Sequence, residues 1–252
     1  MVDQGERFAC LTAYDATTAR HLERAGIPLL LTGDTAAEVV LGLPGTIHAP
    51  LDFLIMITAA VKRGAPNTFV MGDMPFLSYQ CDEADGIRNA GRFLTEGMAD
   101  AVKLEGGEKF FEIITFLIKK KINVMGHIGL LPQKHNGKYP VYGRKKNEEK
   151  KILDDLSSLE KAGVFSIVIE CTVESIVKKL MKKSNTPIIG IGATSDCDGQ
   201  VLVAEDLLGL TDFNAKFLKK YSNLDVIISR AFEKFSSDVV KRKFPQKKNY
   251  YK

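Results

Sequence analysis

The sequence predicts an α/β fold, a (β/α)8 TIM barrel, and three observations predict it. Eight short runs are nearly continuous in apolar residues, as strands buried on both faces must be. Amphipathic segments separate them, which is the order of parallel βα units. Charged and polar residues gather where the runs end, and in a barrel those ends share one face, the face that carries chemistry. An open doubly wound sheet is the alternative, but no GxGxxG follows the first run.

In chain order, the first strand is expected at Phe8–Asp15, followed by an amphipathic helix at Ala16–Ala25. Strands follow at Leu29–Asp34, Thr68–Asp73 and Ala101–Glu105, each a short apolar run closed by a carboxylate. A helix at Phe110–Lys121 leads to a strand at Asn123–Ile128. A helix at Glu148–Ala162 leads to Ser166–Cys171, and one at Val173–Lys183 to Pro187–Gly192. The last strand, Val201–Ala204, is the least distinct run. A weak internal repeat supports this division. ERAGIPLLLTGD (Glu23–Asp34) resembles EKAGVFSIVIEC (Glu160–Cys171), with TEGMADAVKLEG (Thr95–Gly106) a looser copy. In each copy a helix is expected to stop at a glycine (Gly26, Gly163, Gly97), where a left-handed residue costs little.

Composition fits one large domain over residues 1–252: the chain is 45% hydrophobic with a net charge of +4. The basic excess lies in a C-terminal tail from about residue 238, with Lys241, Arg242, Lys243, Lys247, Lys248 and Lys252. Such a tail can meet nucleic acid or a membrane surface, but a solvated end is the reading favoured here, with no nucleic-acid or membrane partner. Cys10, Cys81, Cys171 and Cys197 are far apart and form no CxxC pair. They read as reduced thiols of a cytoplasmic protein. The N-terminal MVDQGERF has no apolar signal region, and Val39–Val61 is interrupted by Pro44, Gly45, His48, Pro50 and Asp52.

Asp34, Asp73 and Glu105 are hard oxygen donors, which suit Mg2+; separately, each also suits a helix cap or a salt bridge. Lys103 shares a strand face with Glu105, so it can hold a substrate carboxylate or keto oxygen, or simply pair with Glu105. His127 ends the fifth strand and is equally placed for chemistry or for a buried hydrogen bond; His21, His48 and His135 receive no role. Glu170 follows small and apolar residues, so burial would raise its pKa toward that of a general base. Thr35 offers a hydroxyl and an N–H to an anionic substrate, or an N-cap. Tyr14 and Asp15 also fall near a strand end. The Gly190–Gly199 stretch allows close backbone approach, and Phe76 and Tyr79 read either as walls for a flat ligand or as core.

These blocks, in this order, resemble the ketopantoate hydroxymethyltransferase family: LTAYDATTAR at Leu11, GDTAAEVVLG at Gly33, the long block ending FVMGDMPFLSYQ, ADAVKLEGG at Ala99, VMGHIGLLPQ at Val124, GKYPVYGR at Gly137, VIEC at Val168, PIIGIGA at Pro187 and CDGQVLVAEDLLGLT at Cys197. The resemblance implies a barrel of the phosphoenolpyruvate-mutase-like type, forming a homodecamer. It implies transfer of a hydroxymethyl group from 5,10-methylenetetrahydrofolate to 3-methyl-2-oxobutanoate, giving 2-dehydropantoate and tetrahydrofolate by way of a Mg-stabilised enolate. One Mg2+ per subunit would fall to Asp34, Asp73 and Glu105. Keto-acid contacts would fall to Asp34, Thr35, Asp73 and Lys103, with His127 assisting, and proton abstraction to Glu170.

The chain departs from the family pattern in several places. Thr35 stands for the usual Ser, Ala37 for a Gly, Leu131 for a Thr, and Thr194 for a small residue. The loop around Lys134–Lys138 is shorter, and the helical segment expected ahead of the first strand is not seen in the sequence. Two other functions fit the same residues: another Mg-dependent C–C lyase or mutase on this barrel, and a degenerate paralogue that binds keto acid without turnover.

Overall fold

The computed structural model describes residues 5–135 and 139–251. Eight strands pair in sequence order, all parallel, and close into a barrel: β1 (Phe8–Thr12), β2 (Leu29–Thr32), β3 (Phe69–Asp73), β4 (Ala101–Glu105), β5 (Val124–Gly129), β6 (Ser166–Glu170), β7 (Ile188–Ile191) and β8 (Gly199–Leu202). The expected barrel is therefore present, and the doubly wound alternative is not. Helices α1 (Ala16–Arg24), α2 (Ala36–Val39), α3 (Leu51–Gly64), α4 (Glu83–Thr95), α5 (Phe111–Lys119), α6 (Lys146–Ala162) and α7 (Glu174–Lys183) fill the crossovers.

The strands alternate between two cores. Cys10, Leu29, Leu31, Met71, Ala101, Met125, Val168, Ile189 and Val201, drawn from all eight strands, form the apolar cluster inside the barrel. The alternate residues, such as Val102, Leu104, Ile167 and Ile169, pack outward against the helices. A strand's side chains repeat every second residue. Asp73, Lys103, His127 and Glu170 each stand two residues beyond an interior apolar residue, so they occupy the next layer up inside the barrel. Period and polarity together thus put the charges on the C-terminal side of an apolar floor.

Local signals explain the ends of the elements. Asp15 caps α1, accepting from the N–H groups of Thr17 and Thr18 at 2.7 and 2.9 Å. It therefore closes a helix and does not join the other strand-end acids. Gly26 and Gly163 are left-handed as expected, with φ of 75° and 92°. In the looser repeat the left-handed residue is Met98, not Gly97, at φ 55°. Gly97 serves there by its missing side chain, since a Cβ would meet the Phe93 carbonyl oxygen at 2.5 Å. β8 begins at Gly199, ahead of the expected Val201, because Gly199 pairs with Phe8 and Ile189.

Residues after Val203 form a second compact unit, Ala204–Lys252. It holds α8 (Ala204–Leu208) and α9 (Leu224–Val240), so the basic tail expected from about residue 238 starts within the last turn of a helix. Among the described residues, no helix is long and apolar enough to cross a membrane.

Candidate active site

The strand register places the acids and bases side by side. Asp73 on β3 pairs with Lys103 on β4, Glu105 with His127 on β5, and Gly129 with Glu170 on β6. The result is a pocket, partly open to solvent, lined by Asp34, Thr35, Asp73, Lys103, Glu105, His127 and Glu170 above Leu31, Val168 and Val201. All the expected site residues line this pocket. Tyr79 does not. Its hydroxyl donates to the Glu105 carbonyl and accepts from the Glu105 N–H, both at 3.0 Å, and its ring packs edge-on to Phe110. It is a core residue that braces the end of β4.

Lys103 pairs with Asp73, Nζ to Oδ1 at 2.8 Å, and not with Glu105. Its Nζ also lies 3.3 Å from His127 Nδ1. His127 Nε2 in turn faces Glu170 Oε2 at 3.3 Å, close but off the angle of a hydrogen bond. The Asp34 N–H donates to Asp73 Oδ2 at 3.2 Å. Glu105 Oε1 has no hydrogen-bond partner, and His127 Nδ1 is 3.8 Å away. Thr35 stands at the N-cap of α2, but its side chain makes no capping bond, so its hydroxyl is not committed to that role.

The residue that sequence reasoning passed over is Gln133. It lies buried in the short turn Pro132–Lys134 after β5. Its side-chain amide donates to Asp34 Oδ2 at 2.8 Å and to the Met74 carbonyl at 3.1 Å. Its backbone N–H donates to Glu105 Oε2 at 3.2 Å. The only signal for it was its place in the block VMGHIGLLPQ, since a polar residue in a loop is ordinary.

The comparisons with known proteins agree with this geometry. The family model described as ketopantoate hydroxymethyltransferase matches residues 1–247. The chain belongs to this family. It is 47% identical over 245 residues to the 3-methyl-2-oxobutanoate hydroxymethyltransferase of Pseudothermotoga lettingae, covering 96% of this chain and 92% of the relative. It is 44% identical over 247 residues to the protein of that name from Saccharolobus islandicus, covering 97% and 92%. Ketopantoate hydroxymethyltransferases are one-carbon transferases, so the chain is an enzyme of that class.

Among solved structures, a phosphonopyruvate hydrolase in complex with oxalate and Mg++ superposes with a TM-score of 0.64 at 12% identity, covering 98% of this chain and 89% of the other. A 2,3-dimethylmalate lyase, described as a PEP mutase/isocitrate lyase superfamily member, gives 0.65 at 13% identity, covering 94% and 82%. These two show the fold, a closed barrel of eight parallel strands with helices between them.

The family's departures in this chain are local. Ala37, where the resemblance implied a Gly, is buried inside helix α2, where an alanine is at home. Leu131 is buried at the end of the β5 loop. Of the shortened loop, Asn136–Lys138 lie outside the described residues.

The donor set fits a hard divalent cation. Asp34, Asp73, Glu105 and Glu170 are all buried around one ammonium, Lys103, and no one of them exceeds 8% exposure. Burial and the neighbouring Asp73 push Asp34 up to about 8; burial pushes Glu170 to about 8 and holds Glu105 well above the carboxylate range. Burial and Lys103 keep His127 neutral. The carboxylates must therefore carry protons or share a further cation. Among the described residues no three His, Cys, Asp or Glu side chains close into a metal cage. Mg2+ needs no such cage, because it keeps waters and takes substrate oxygens alongside one or two carboxylates.

Proposed function

We propose that the enzyme transfers a hydroxymethyl group from 5,10-methylenetetrahydrofolate to 3-methyl-2-oxobutanoate, giving 2-dehydropantoate and tetrahydrofolate. One observation carries this reading. The pocket's carboxylates fall into two sets: Asp34, Asp73 and Glu105 tied together by Gln133 and the Asp34 N–H, and Glu170 apart, faced by His127. Proton abstraction next to a ketone needs that division, a base on one side and positive potential on the other.

Asp34, Asp73 and Glu105 would hold Mg2+, which when bound supplies Lewis-acid polarisation of the keto oxygen. Lys103, held as an ammonium by the carboxylates around it, adds positive potential where negative charge develops on the substrate oxygens. Thr35 offers its hydroxyl to the substrate carboxylate. Glu170 takes the proton from the carbon next to the ketone, and the electron pair left behind forms the new C–C bond to the one-carbon unit. Water releases the one-carbon unit from the folate nitrogens, which take its protons as tetrahydrofolate leaves, and its oxygen becomes the hydroxyl once the new C–C bond forms. The one-carbon unit falls to the alcohol level while the substrate carbon is oxidised equally, so no external oxidant or reductant is consumed. The apolar floor of Leu31, Val168 and Val201 suits the isopropyl end of the keto acid. The same reading carries a cytoplasmic homodecamer, supported by the family resemblance and checked by sedimentation.

The test is direct. Purified protein with 3-methyl-2-oxobutanoate, 5,10-methylenetetrahydrofolate and Mg2+ should yield 2-dehydropantoate, detected by mass spectrometry, and none when the folate is omitted. Absence of product at saturating substrates would overturn the reading. Cleavage of a keto or hydroxy acid without folate would point to a lyase instead.

A further inference from the structure

We infer that Gln133 is a positioning residue, which holds Asp34 and Glu105 as one cation-binding pair; the inference rests on the metal reading above. Its side-chain nitrogen carries two hydrogens. One goes to Asp34 Oδ2 at 2.8 Å and the other to the Met74 carbonyl at 3.1 Å, while the backbone N–H of the same residue holds Glu105 Oε2 at 3.2 Å. Its amide oxygen accepts from Gln80 Nε2 at 3.4 Å. One buried residue thus joins the end of β4 to the loops after β2, β3 and β5, with every donor used.

The chemistry of the side chain matters as much as its reach. Asp34 and Glu105 must be ionised to hold a cation, and in that form they repel each other and Asp73 in a buried site. Gln133 donates to both without adding charge. It occupies one oxygen of each carboxylate, Oδ2 of Asp34 and Oε2 of Glu105, and leaves Glu105 Oε1 without a hydrogen-bond partner. A glutamate in its place would add a further anion and lose the amide donors. A lysine or arginine would compete with the cation. Neutral donation to the outer oxygen is how the partners of metal ligands orient them without neutralising them.

The experiment compares wild type with Gln133→Met, similar in length but without donors, and with Gln133→Glu. Mn2+ is the probe, and its binding to the whole protein without substrates is titrated by electron paramagnetic resonance. Gln133→Met should weaken Mn2+ by roughly 10- to 100-fold. Its metal-free melting temperature should stay within a few degrees of wild type, because the backbone N–H to Glu105 survives. Turnover should be restored in part by raised metal concentration, with KM for the keto acid rising more than kcat falls. Gln133→Glu should lose that rescue. If Gln133→Met binds Mn2+ as wild type does, the inference is overturned while the metal reading stands. If wild type itself binds no Mn2+, the metal reading fails. A variant that melts early but keeps wild-type Mn2+ affinity would make Gln133 structural only and overturn the inference.

Discussion

Lys103 Nζ lies 3.3 Å from His127 Nδ1, and this contact decides which imidazole nitrogen carries the proton. An ammonium can only donate, so Nδ1 must accept. The single proton of the neutral ring then sits on Nε2, the atom that faces Glu170 Oε2 at 3.3 Å. Asp73, Lys103, His127 and Glu170 thus stand in line from the acid cluster to the proposed base, the last contact falling short of a hydrogen bond.

Glu170→Gln should abolish exchange of deuterium into the carbon next to the ketone of 3-methyl-2-oxobutanoate. His127→Gln should slow that exchange by roughly 10- to 100-fold if the 3.3 Å contact to Glu170 closes to a hydrogen bond with substrate bound, worth ~1.5–3 kcal/mol to a charged group. Nuclear magnetic resonance of the substrate reads both. Undiminished exchange in Glu170→Gln would remove the base assignment.

Lys103→Met should destabilise the metal-free enzyme by about 3–5 kcal/mol, since it strands Asp73 among other buried carboxylates. Urea unfolding in the presence of a chelator measures the loss. Added Mg2+ should recover part of it, if the cation takes up the charge that Lys103 balanced.

Stability without metal should fall as pH rises. Asp34 and Glu170 are raised to about 8 and Glu105 well above its ordinary range, whereas these groups titrate near 4 in the unfolded chain. The folded state therefore binds more protons than the unfolded one. Its stability from these groups is full below about 4 and is lost as pH passes through about 8. Melting temperatures with chelator should drop steadily across this window. Mg2+ should flatten the drop, because metal and protons compete for the same oxygens.

Gly129→Ala should harm stability and activity together. Gly129 has φ 87°, and a Cβ there would lie 2.4 Å from the Glu170 carbonyl oxygen. The strain of roughly 1–3 kcal/mol falls on the backbone that aims Glu170. Calorimetry and the exchange assay should move in the same variant. A normal exchange rate with a lowered melting point would show that Glu170 is held by other contacts.

Much of this was legible because strand period is strict. Once the run ending at Asp73 or Glu170 is a strand, its alternation fixes which residues face inward, and shared direction brings the ends together. The resemblance then divided the acids into ligands and base. What the sequence left open depends on register and on loops. Lys103 can reach Glu105 along its own strand or Asp73 on the next, and only the pairing of β3 with β4 selects Asp73. Tyr79 read as core more than as a ligand wall, and its hydroxyl bears that out by closing both backbone polar groups of Glu105. Gln133 was invisible because its role lies in a loop that crosses to partners 99 and 28 residues away. Asp15 misled because an N-cap and a strand-end acid read alike in sequence.

The layer of apolar side chains from all eight strands has a kinetic meaning. Among the described residues it closes the inner end of the pocket. Whatever reacts at Lys103 and Glu170 must enter before a bulkier partner stands over it, and must wait for that partner to go. On the proposed reaction the keto acid would be first in and its hydroxymethylated product last out, an order that product-inhibition patterns would display.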